Sequence, residues 1–374
     1  MINSSDKKRV PIFQLNFDDS FIQQYKIGVE NIFASDSLSE GHYVNEFEVE
    51  FSKFIGAKHS VAVNSGTAAL ELALRALDVK GKQVIVPTNT FVATAIAVER
   101  AGAELILVDI EKDTFSMSPD ALENAITEDT GAVILVHIGG IVSSNVANII
   151  DICAGHGVAL VEDAAQAHGS SRKHYTAGTI GTVGCFSLFP TKVMTTAEGG
   201  LATTQDARIA QKMRSIKNFG RDPSNSLLSI SEGANFKVTE FQGLMGILEL
   251  ERVNGRISKR NILAKRYQDL LESKNYQTIS VNDGRSSYYK QIVKIRQSQD
   301  ILHETCKKNG ISLTGEVYKY PVHQQPVYEK MFDHSSFPVA NEYSKSHICP
   351  PVYPELSLED VSYVCNVLNE IASE

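Results

Sequence analysis

Short apolar runs alternate with helical patterns along the first two-thirds of the chain. Residues 65–77, 90–100 and 145–154 carry apolar side chains at helical spacing and predict helices. The apolar runs between them have the length of strands, and they cover residues 61–63, 84–86, 105–108, 133–136 and 159–161. Because these runs are apolar on both faces, they favour a mostly parallel sheet with helices packed on both sides.

The pattern changes near Arg252, where basic residues become frequent. A long charged helix is predicted over residues 249–273. Beyond it, residues 288–295 resemble a strand, and residues 302–308 and 358–371 resemble helices. This change predicts a second unit of mixed α and β structure after the long helix.

The chain is therefore predicted to be an α/β protein with two domains. Residues 1–250 would form a large domain with a mostly parallel mixed sheet between helices, and residues 251–374 a smaller α+β domain. The segment 222–233, rich in Ser and Asn, is predicted to be a mobile surface loop.

Composition narrows the functional classes. The formal net charge of -8 argues against nucleic acid as the main partner, because phosphate backbones require clustered Lys and Arg. No stretch reaches the ~18 consecutive apolar residues of a membrane helix, and no signal peptide follows the N-terminus. The five cysteines form no Cys-x-x-Cys pair, which predicts reduced thiols in a cytoplasmic protein and no metal site.

Residues 64–70, Asn-Ser-Gly-Thr-Ala-Ala-Leu, place small and hydroxyl residues where a strand gives way to a helix. The free N–H groups of a helix start bind anions, and Gly66 allows close approach while Thr67 adds a hydroxyl donor. The alternative is an ordinary N-cap without a ligand.

Residues 161–169, Val-Glu-Asp-Ala-Ala-Gln-Ala-His-Gly, follow the apolar run at 159–161. Open α/β sheets bind ligands at the carboxyl ends of their strands. Asp163 is a candidate to pair with a protonated pyridine nitrogen, and Gln166 to form a hydrogen bond with the hydroxyl of the same ring. The alternative is that Asp163 caps a helix.

Residues 186–192, Phe-Ser-Leu-Phe-Pro-Thr-Lys, place Lys192 among apolar and small residues. Burial favours the neutral amine that forms a Schiff base. Ser187 could bind the same phosphate as Thr67. The alternative for Lys192 is a surface lysine whose stem lies along apolar atoms.

Together, in this chain order, the three segments resemble the fold-type I enzymes that use pyridoxal 5'-phosphate (PLP). Over almost the whole chain the sequence resembles the DegT/StrS family of sugar aminotransferases. The matching segments are Gly41 with Phe47 and Glu48, and residues 64–70, 90–94, 162–169, 186–192, 218–220, 233–235 and 351–357.

The resemblance implies a role for each candidate residue. Lys192 would hold PLP covalently and move protons, so Lys192 and Asp163 are the expected catalytic residues. The residues expected to bind the cofactor are Gly66, Thr67, Phe91, Asp163, Gln166, Ser187, Lys192 and Asn235. Phe91 would stack on the ring, a position that the residues alone indicate only as core packing. Asn235 would reach the phosphate of the neighbouring subunit, which implies a homodimer with sites at the interface.

The resemblance also implies the reaction. An amino group would pass from L-glutamate to a nucleotide-linked keto-deoxy sugar, a dTDP-, UDP- or GDP-linked 3-keto or 4-keto-6-deoxyhexose, in the synthesis of amino sugars such as those of O-antigen lipopolysaccharide. Two alternatives are another fold-type I PLP enzyme and a regulatory protein that binds PLP without turnover.

Two segments depart from the family pattern. The family often has Val-His-x-Tyr-Gly where residues 136–140 read Val-His-Ile-Gly-Gly. The family commonly has an arginine at the position of Lys237. The lysine side chain carries a single ammonium group, whereas arginine offers several N–H donors in a planar guanidinium group. His323 matches a substrate-side segment only loosely, and neither it nor Arg221 is placed in the catalytic set.

Overall fold

The computed structural model of the chain describes residues 8–313 and 316–372, so the first residues, on which the expectation of no signal peptide rests, lie outside the described part. The helices are α1 (Asp19–Ala34), α2 (His42–Ile55), α3 (Gly66–Ala76), α4 (Val92–Arg100), α5 (Pro119–Ala125), α6 (Val146–Gly155), α7 (Ala207–Lys217), α8 (Glu240–Leu270), α9 (Gln299–Lys308), α10 (Pro338–Tyr343) and α11 (Leu358–Ile371). The strands are β1 (His59–Val63), β2 (Gln83–Pro87), β3 (Glu104–Val108), β4 (Thr130–Val136), β5 (Ala159–Asp163), β6 (Ser171–Arg172), β7 (Tyr175–Thr176), β8 (Val183–Ser187), β9 (Gly200–Thr204), β10 (Tyr276–Thr278), β11 (Gly284–Arg285), β12 (Val293–Ile295) and β13 (His347–Ile348).

The central sheet has seven strands in the order β1-β9-β8-β5-β4-β2-β3. The five strands from β8 to β3 pair in parallel. Strand β9 pairs antiparallel with both β8 and β1. The prediction of a mostly parallel mixed sheet is confirmed, and all five apolar runs lie within strands of this sheet.

Both faces of the sheet are covered, as the two-sided apolar runs predicted. On β4, Ile134 packs in one apolar cluster with Leu72 of α3. Its neighbour Val133 packs in the other cluster with Phe51 of α2. Because successive side chains of a strand point to opposite faces, the two clusters lie on opposite sides of the sheet.

The long charged helix begins earlier than the sequence predicted. Helix α8 starts at Glu240, capped by Thr239, and not at residue 249. Its first turns contain glycine, which weakens the helical pattern. Packing explains the glycine at position 246, because an added Cβ there would lie 2.7 Å from the ring of Phe47 in α2. The predicted domain boundary at residue 250 falls inside this helix.

A smaller layer follows α8. Strands β10, β12 and β13 form a three-stranded sheet. The predicted strand over 288–295 is shorter than expected, since only β12 is extended in a ladder. Before β12, Ser287 Oγ donates to the carbonyl of Gln166 at 2.6 Å, and the N–H of Tyr288 donates to Ser286 Oγ at 3.0 Å. These bonds, one to the distant Gln166 and one within the segment, take the place of ladder hydrogen bonds there.

The closing helix is confirmed with its predicted boundaries. Helix α11 runs over Leu358–Ile371, and Ser357 and Asp360 form the capping box at its start. In the described residues, no helix is both long enough and apolar enough to cross a lipid bilayer.

Candidate active site

A cavity of about 380 Å³ opens at the carboxyl ends of the parallel strands. Val136, Asp163 and Ser187, the last residues of β4, β5 and β8, all line it. This is the edge at which open α/β sheets bind ligands.

One end of the cavity is the N-terminus of α3. Ser65 caps this helix by accepting from the N–H of Ala68 at 3.1 Å, and Gly66 and Thr67 line the cavity beside Ser187. A Cβ added to Gly66 would lie 2.6 Å from the Cβ of Ser187. The N-cap interpretation is confirmed, and the anion-site interpretation stays a prediction that the position of this helix start at a cavity supports.

Asp163 presents a carboxylate to the cavity and is only 7% exposed. Its Oδ2 accepts from Thr94 Oγ1 at 2.8 Å, and its Oδ1 accepts from the N–H of Ala165 at 3.1 Å. Both donors are neutral, and none of the ion pairs formed in the described part of the chain involves Asp163. A buried carboxylate held by neutral donors is suited to a cationic ligand group.

The neighbouring Glu162 has a different task. It is fully buried and accepts from the N–H groups of Gly178, Ile180 and Gly181 at 2.7–2.8 Å. Its Oε2 also lies 2.8 Å from His137 Nε2. Glu162 and His137 thus hold the loop over residues 178–181 against the central sheet.

Gln166 lies in the cavity wall with both ends of its amide engaged. Its Oε1 accepts from the N–H of Gly139 at 2.7 Å, and its Nε2 donates to the hydroxyl of Tyr318 at 2.7 Å. Gly139 stands where the family pattern has Tyr, and here its backbone contributes the contact.

Lys192 follows β8 on a loop, is partly buried and lines the cavity. Its Nζ lies 4.5 Å from the ring centroid of Tyr289, whose hydroxyl is 3.0 Å from Thr191 Oγ1. Burial raises the pKa of Tyr289, but the charges of Lys192 and Lys290 outweigh it and leave that pKa below its ordinary value. Among the described residues Lys192 forms no ion pair with a carboxylate.

The residues alone indicated that Phe91 packs in the core, but in the structure it does not. It caps α4, lines the cavity and is 57% exposed. Its ring centroid lies 6.0 Å from that of Tyr318. An aromatic face left open at a cavity wall is suited to stacking on a planar ligand.

Asn235 lies outside this cavity. Its side chain is exposed, and its carbonyl accepts from Asn64 Nδ2 at 3.2 Å. Its backbone pairs with that of Asn218 in an isolated antiparallel β-bridge. Seven of the eight expected cofactor residues therefore line one cavity. Asn235 is the one that the sequence assigned to the neighbouring subunit, and this role stays a prediction.

Several cavity residues carried no recognisable signal in the sequence. Those with polar side chains are Glu198, Tyr289, Lys290, Glu316 and Tyr318. The last four come from segments beyond residue 280, which the pattern indicated only as a strand and connecting loops.

His323 connects the loop after β2 to helix α10 by hydrogen bonds. Its Nδ1 lies 2.6 Å from Thr88 Oγ1, and its Nε2 lies 2.9 Å from Asn341 Oδ1. It does not line the cavity. Lys237 also lies elsewhere, with its Nζ 4.9 Å from the ring centroid of Phe219.

The donor set fits PLP. The helix start with Gly66 and Ser187 offers an anion site, Asp163 an uncompensated carboxylate, Phe91 a flat apolar face and Lys192 an amine. Within residues 8–313 and 316–372, no group of His, Cys, Asp and Glu side chains is arranged to hold a metal ion.

Comparison with known proteins gives matches over nearly the whole chain. A sequence model of the DegT/DnrJ/EryC1/StrS aminotransferase family matches residues 21–369. The spore coat polysaccharide biosynthesis protein SpsC of Bacillus subtilis is 34% identical over 353 residues, 89% of this chain and 90% of that protein. GDP-perosamine synthase of Vibrio cholerae is 29% identical over 364 residues, 96% of this chain and 98% of that protein. The crystal structure of S. venezuelae DesV in complex with a ketimine intermediate is similar with a TM-score of 0.91 and 27% identity, covering 98% of this chain and 99% of DesV.

Proposed function

Since the chain belongs to the DegT/DnrJ/EryC1/StrS aminotransferase family, we propose that it transfers an amino group from L-glutamate to a nucleotide-linked keto sugar. Members of this family are PLP-dependent aminotransferases, and the chain is one of them. The observation that carries the proposal is the convergence of Lys192, Asp163 and the helix start at Gly66 on one cavity.

When bound, PLP supplies a carbonyl that carries the amino group and a ring that accepts electrons. Lys192 would hold the cofactor and then move a proton between the substrate carbon and the cofactor carbon. Asp163 would keep the ring nitrogen protonated. Gly66, Thr67 and Ser187 would bind the phosphate, and Phe91 would cover the ring face.

The cavity also has a cation to offer to an anionic substrate. Lys290 lines the cavity with its Nζ 5.5 Å from the ring centroid of Tyr289. In the described part of the chain no carboxylate pairs with Lys290, and Glu316, which also lines the cavity, pairs with His303. A free ammonium suits the carboxylates of L-glutamate or the diphosphate of a nucleotide sugar.

The relatives support a sugar acceptor. GDP-perosamine synthase is named for a GDP-linked product, and SpsC for polysaccharide biosynthesis. The acceptor proposed for this chain is accordingly a dTDP-, UDP- or GDP-linked 3-keto or 4-keto-6-deoxyhexose.

We further propose that the working form is a homodimer. The exposed Asn235 lies next to the 219–230 loop, the segment from Phe219 to Ile230, in which Leu227 is 91% exposed. Exposed apolar side chains on one loop are typical of a protein interface. A second copy seated there would receive Asn235 at its own phosphate site.

The cysteines support a reducing location. All five are free and buried, which is consistent with the cytoplasm as the proposed compartment.

The test is the absorption spectrum of the PLP-loaded protein before and after L-glutamate is added. We expect a yellow cofactor band that fades as the amino group is taken up, followed by its return with the correct keto sugar. A yellow protein that does not respond to glutamate would point to another donor, another PLP reaction or a regulatory binder. A protein that never takes up PLP would contradict the proposal.

A further inference from the structure

The amide of Gln166 has a fixed orientation in the cavity wall. An amide can be turned end for end, but the N–H of Gly139 can only donate, so the atom 2.7 Å from it must be the oxygen of Gln166. The NH2 end therefore faces the hydroxyl of Tyr318, which accepts one of its two hydrogens at 2.7 Å. The second hydrogen has no other acceptor among the described residues, and Gln166 lines the cavity.

Tyr318 is itself held in place from the large domain. Its N–H donates to Asn89 Oδ1 at 3.0 Å, and the amide of Asn89 donates to the carbonyl of Phe115 at 3.3 Å. A few residues on, the N–H of Val322 donates to the carbonyl of Thr88 at 2.8 Å. The backbone that carries Tyr318 is thus docked on the loop that follows β2.

We propose that Tyr318 is a positioning residue that acts through Gln166: it accepts one amide hydrogen so that the other is directed at the ring hydroxyl of the cofactor. The inference rests on the proposed role of Gln166. It adds a second residue, which never needs to touch the cofactor, to the machinery that tunes it.

The surroundings keep Tyr318 in the form that this task needs. Burial, and then the nearby Tyr289 and Asp163, raise the pKa of Tyr318 well above its ordinary value, although the bond from Gln166 opposes this. The phenol therefore stays protonated at working pH. It accepts from Gln166 with a lone pair and keeps its own hydrogen for another acceptor.

The physical consequence can be measured in the cofactor's colour. A donor aimed at the ring oxygen stabilises its deprotonated form, so it favours release of the proton that the lysine-linked chromophore shares with that oxygen. Loss of the Tyr318 hydroxyl removes one of the two bonds that hold the amide of Gln166, so the amide can tilt about its remaining bond to Gly139 and its free hydrogen is no longer directed at the ring oxygen. We expect the pH midpoint of the absorbance change to rise by about one unit in Tyr318→Phe, the size of one charge-assisted hydrogen bond.

The experiment is a double-mutant cycle on the PLP-loaded protein, with the pH midpoint of the absorbance change as the readout. Gln166→Met, Tyr318→Phe and the double variant are compared with the natural protein. Tyr320→Phe is the matched control, since Tyr320 lies two positions away and is 60% exposed. The control should leave the midpoint unchanged, and thermal unfolding would confirm that every variant is folded.

If Tyr318 acts through Gln166, both single variants raise the midpoint, and the double variant shifts it no further than Gln166→Met alone. A shift in Gln166→Met with none in Tyr318→Phe would overturn the inference and leave the role of Gln166 intact. Fully additive shifts would also overturn it, because Tyr318 would then act independently. An unchanged midpoint in Gln166→Met would overturn both.

Discussion

At the scale of single residues, the candidate site is defined by charges that the protein leaves uncompensated. Lys192 and Lys290 both lie close to the ring of Tyr289 without a carboxylate partner in the described residues, and Asp163 accepts only from neutral groups. Burying the carboxylate of Asp163 without a cationic partner is unfavourable for the free protein. It becomes favourable when a ligand with complementary charges fills the cavity.

Lys192 should be the point of covalent attachment. Borohydride reduction of the PLP-loaded protein should fix the cofactor to the peptide that contains Lys192, as read by mass spectrometry. Lys192→Ala should lose both this adduct and turnover, because no other amine is assigned to carry the cofactor. Lys290→Ala should retain the adduct. A modified peptide containing Lys290 in the natural protein would contradict the assignment.

Lys290 should matter for substrates and not for the cofactor. Lys290→Met should raise the KM for L-glutamate by about tenfold or more if the ammonium binds a carboxylate, the size expected for a charged hydrogen bond. A rise confined to the keto sugar would assign Lys290 to the diphosphate. Lys319→Met is the control, since Lys319 pairs with Asp300 at 3.1 Å outside the cavity. Unchanged kinetics with both substrates would contradict an anion-binding role.

His168 should make the fold sensitive to acid. Its ring is buried between Phe51 and Phe186, and burial, followed by the charge of Lys192, lowers its pKa to about 3. The unfolded chain takes up a proton near the ordinary pKa of about 6.5, whereas folded His168 does not. Its contribution to stability is therefore complete above that pH and is lost as the pH falls from about 6.5 to about 3, by about 1.4 kcal/mol per pH unit.

Urea unfolding at several pH values would measure this effect. The variant His168→Leu should show a slope smaller by about one proton over that range. His156→Gln, a change at an exposed histidine, should keep the natural slope. Equal slopes in the natural protein and His168→Leu would exclude His168 as the source.

At the scale of elements, the start of α3 shows how tightly the proposed phosphate site is packed. The helix approaches β8 so closely that only glycine fits at position 66, and this contact places Thr67 and Ser187 side by side in the cavity wall. The N-cap at Ser65 fixes where the helix begins. An ordinary helix-start signal in the sequence thus becomes part of a cavity wall through one contact with a strand.

Gly66→Ala should weaken PLP binding and lower stability by about 1–3 kcal/mol, because the new Cβ overpacks against Ser187. The PLP dissociation constant and the urea midpoint would measure the two effects. Gly255→Ala is the matched control, since a Cβ there, in the middle of α8, meets nothing within 4 Å. It should stabilise the helix by about 0.5–1 kcal/mol. Natural PLP affinity in Gly66→Ala would argue against a phosphate at this helix.

At the scale of the whole molecule, the proposed dimer makes a prediction that no single subunit can test. Subunits with Lys192→Ala and subunits with Asn235→Ala should each be impaired alone, the second through weaker PLP binding. If Asn235 serves the partner's site, the mixed dimer contains one site with both natural residues and one that lacks both. Mixing the two proteins should therefore restore up to about half of the natural activity per mixed dimer.

The mixing experiment needs one control. Lys192→Ala subunits mixed with the double variant should stay inactive, since no site could then combine both residues. Restored activity would have to come from exchange of subunits, which sedimentation of the mixture would verify. No recovery in a verified mixed dimer would place Asn235 outside the partner's site.

The sequence alone determined much of this protein. The apolar runs predicted the parallel strands because a strand buried on both faces can hold only apolar side chains. The segments around Thr67, Asp163 and Lys192 identified the family because the residues that follow the end of a strand are consecutive in sequence. The last helix was predicted from its own residues 358–371 for the same reason, and the capping box at Ser357, which involves only neighbours in sequence, fixes where it begins.

Only the tertiary structure decided the rest. Tyr289, Lys290 and Tyr318 reach the cavity from segments far along the chain, through contacts that no local pattern records. Gly246 in the first turns of α8 meets the ring of Phe47 in α2, and before β12 Ser287 bonds to the carbonyl of Gln166 instead of to a ladder. In each case the contact joins residues that are remote in sequence, and their distance is fixed only when the chain has packed.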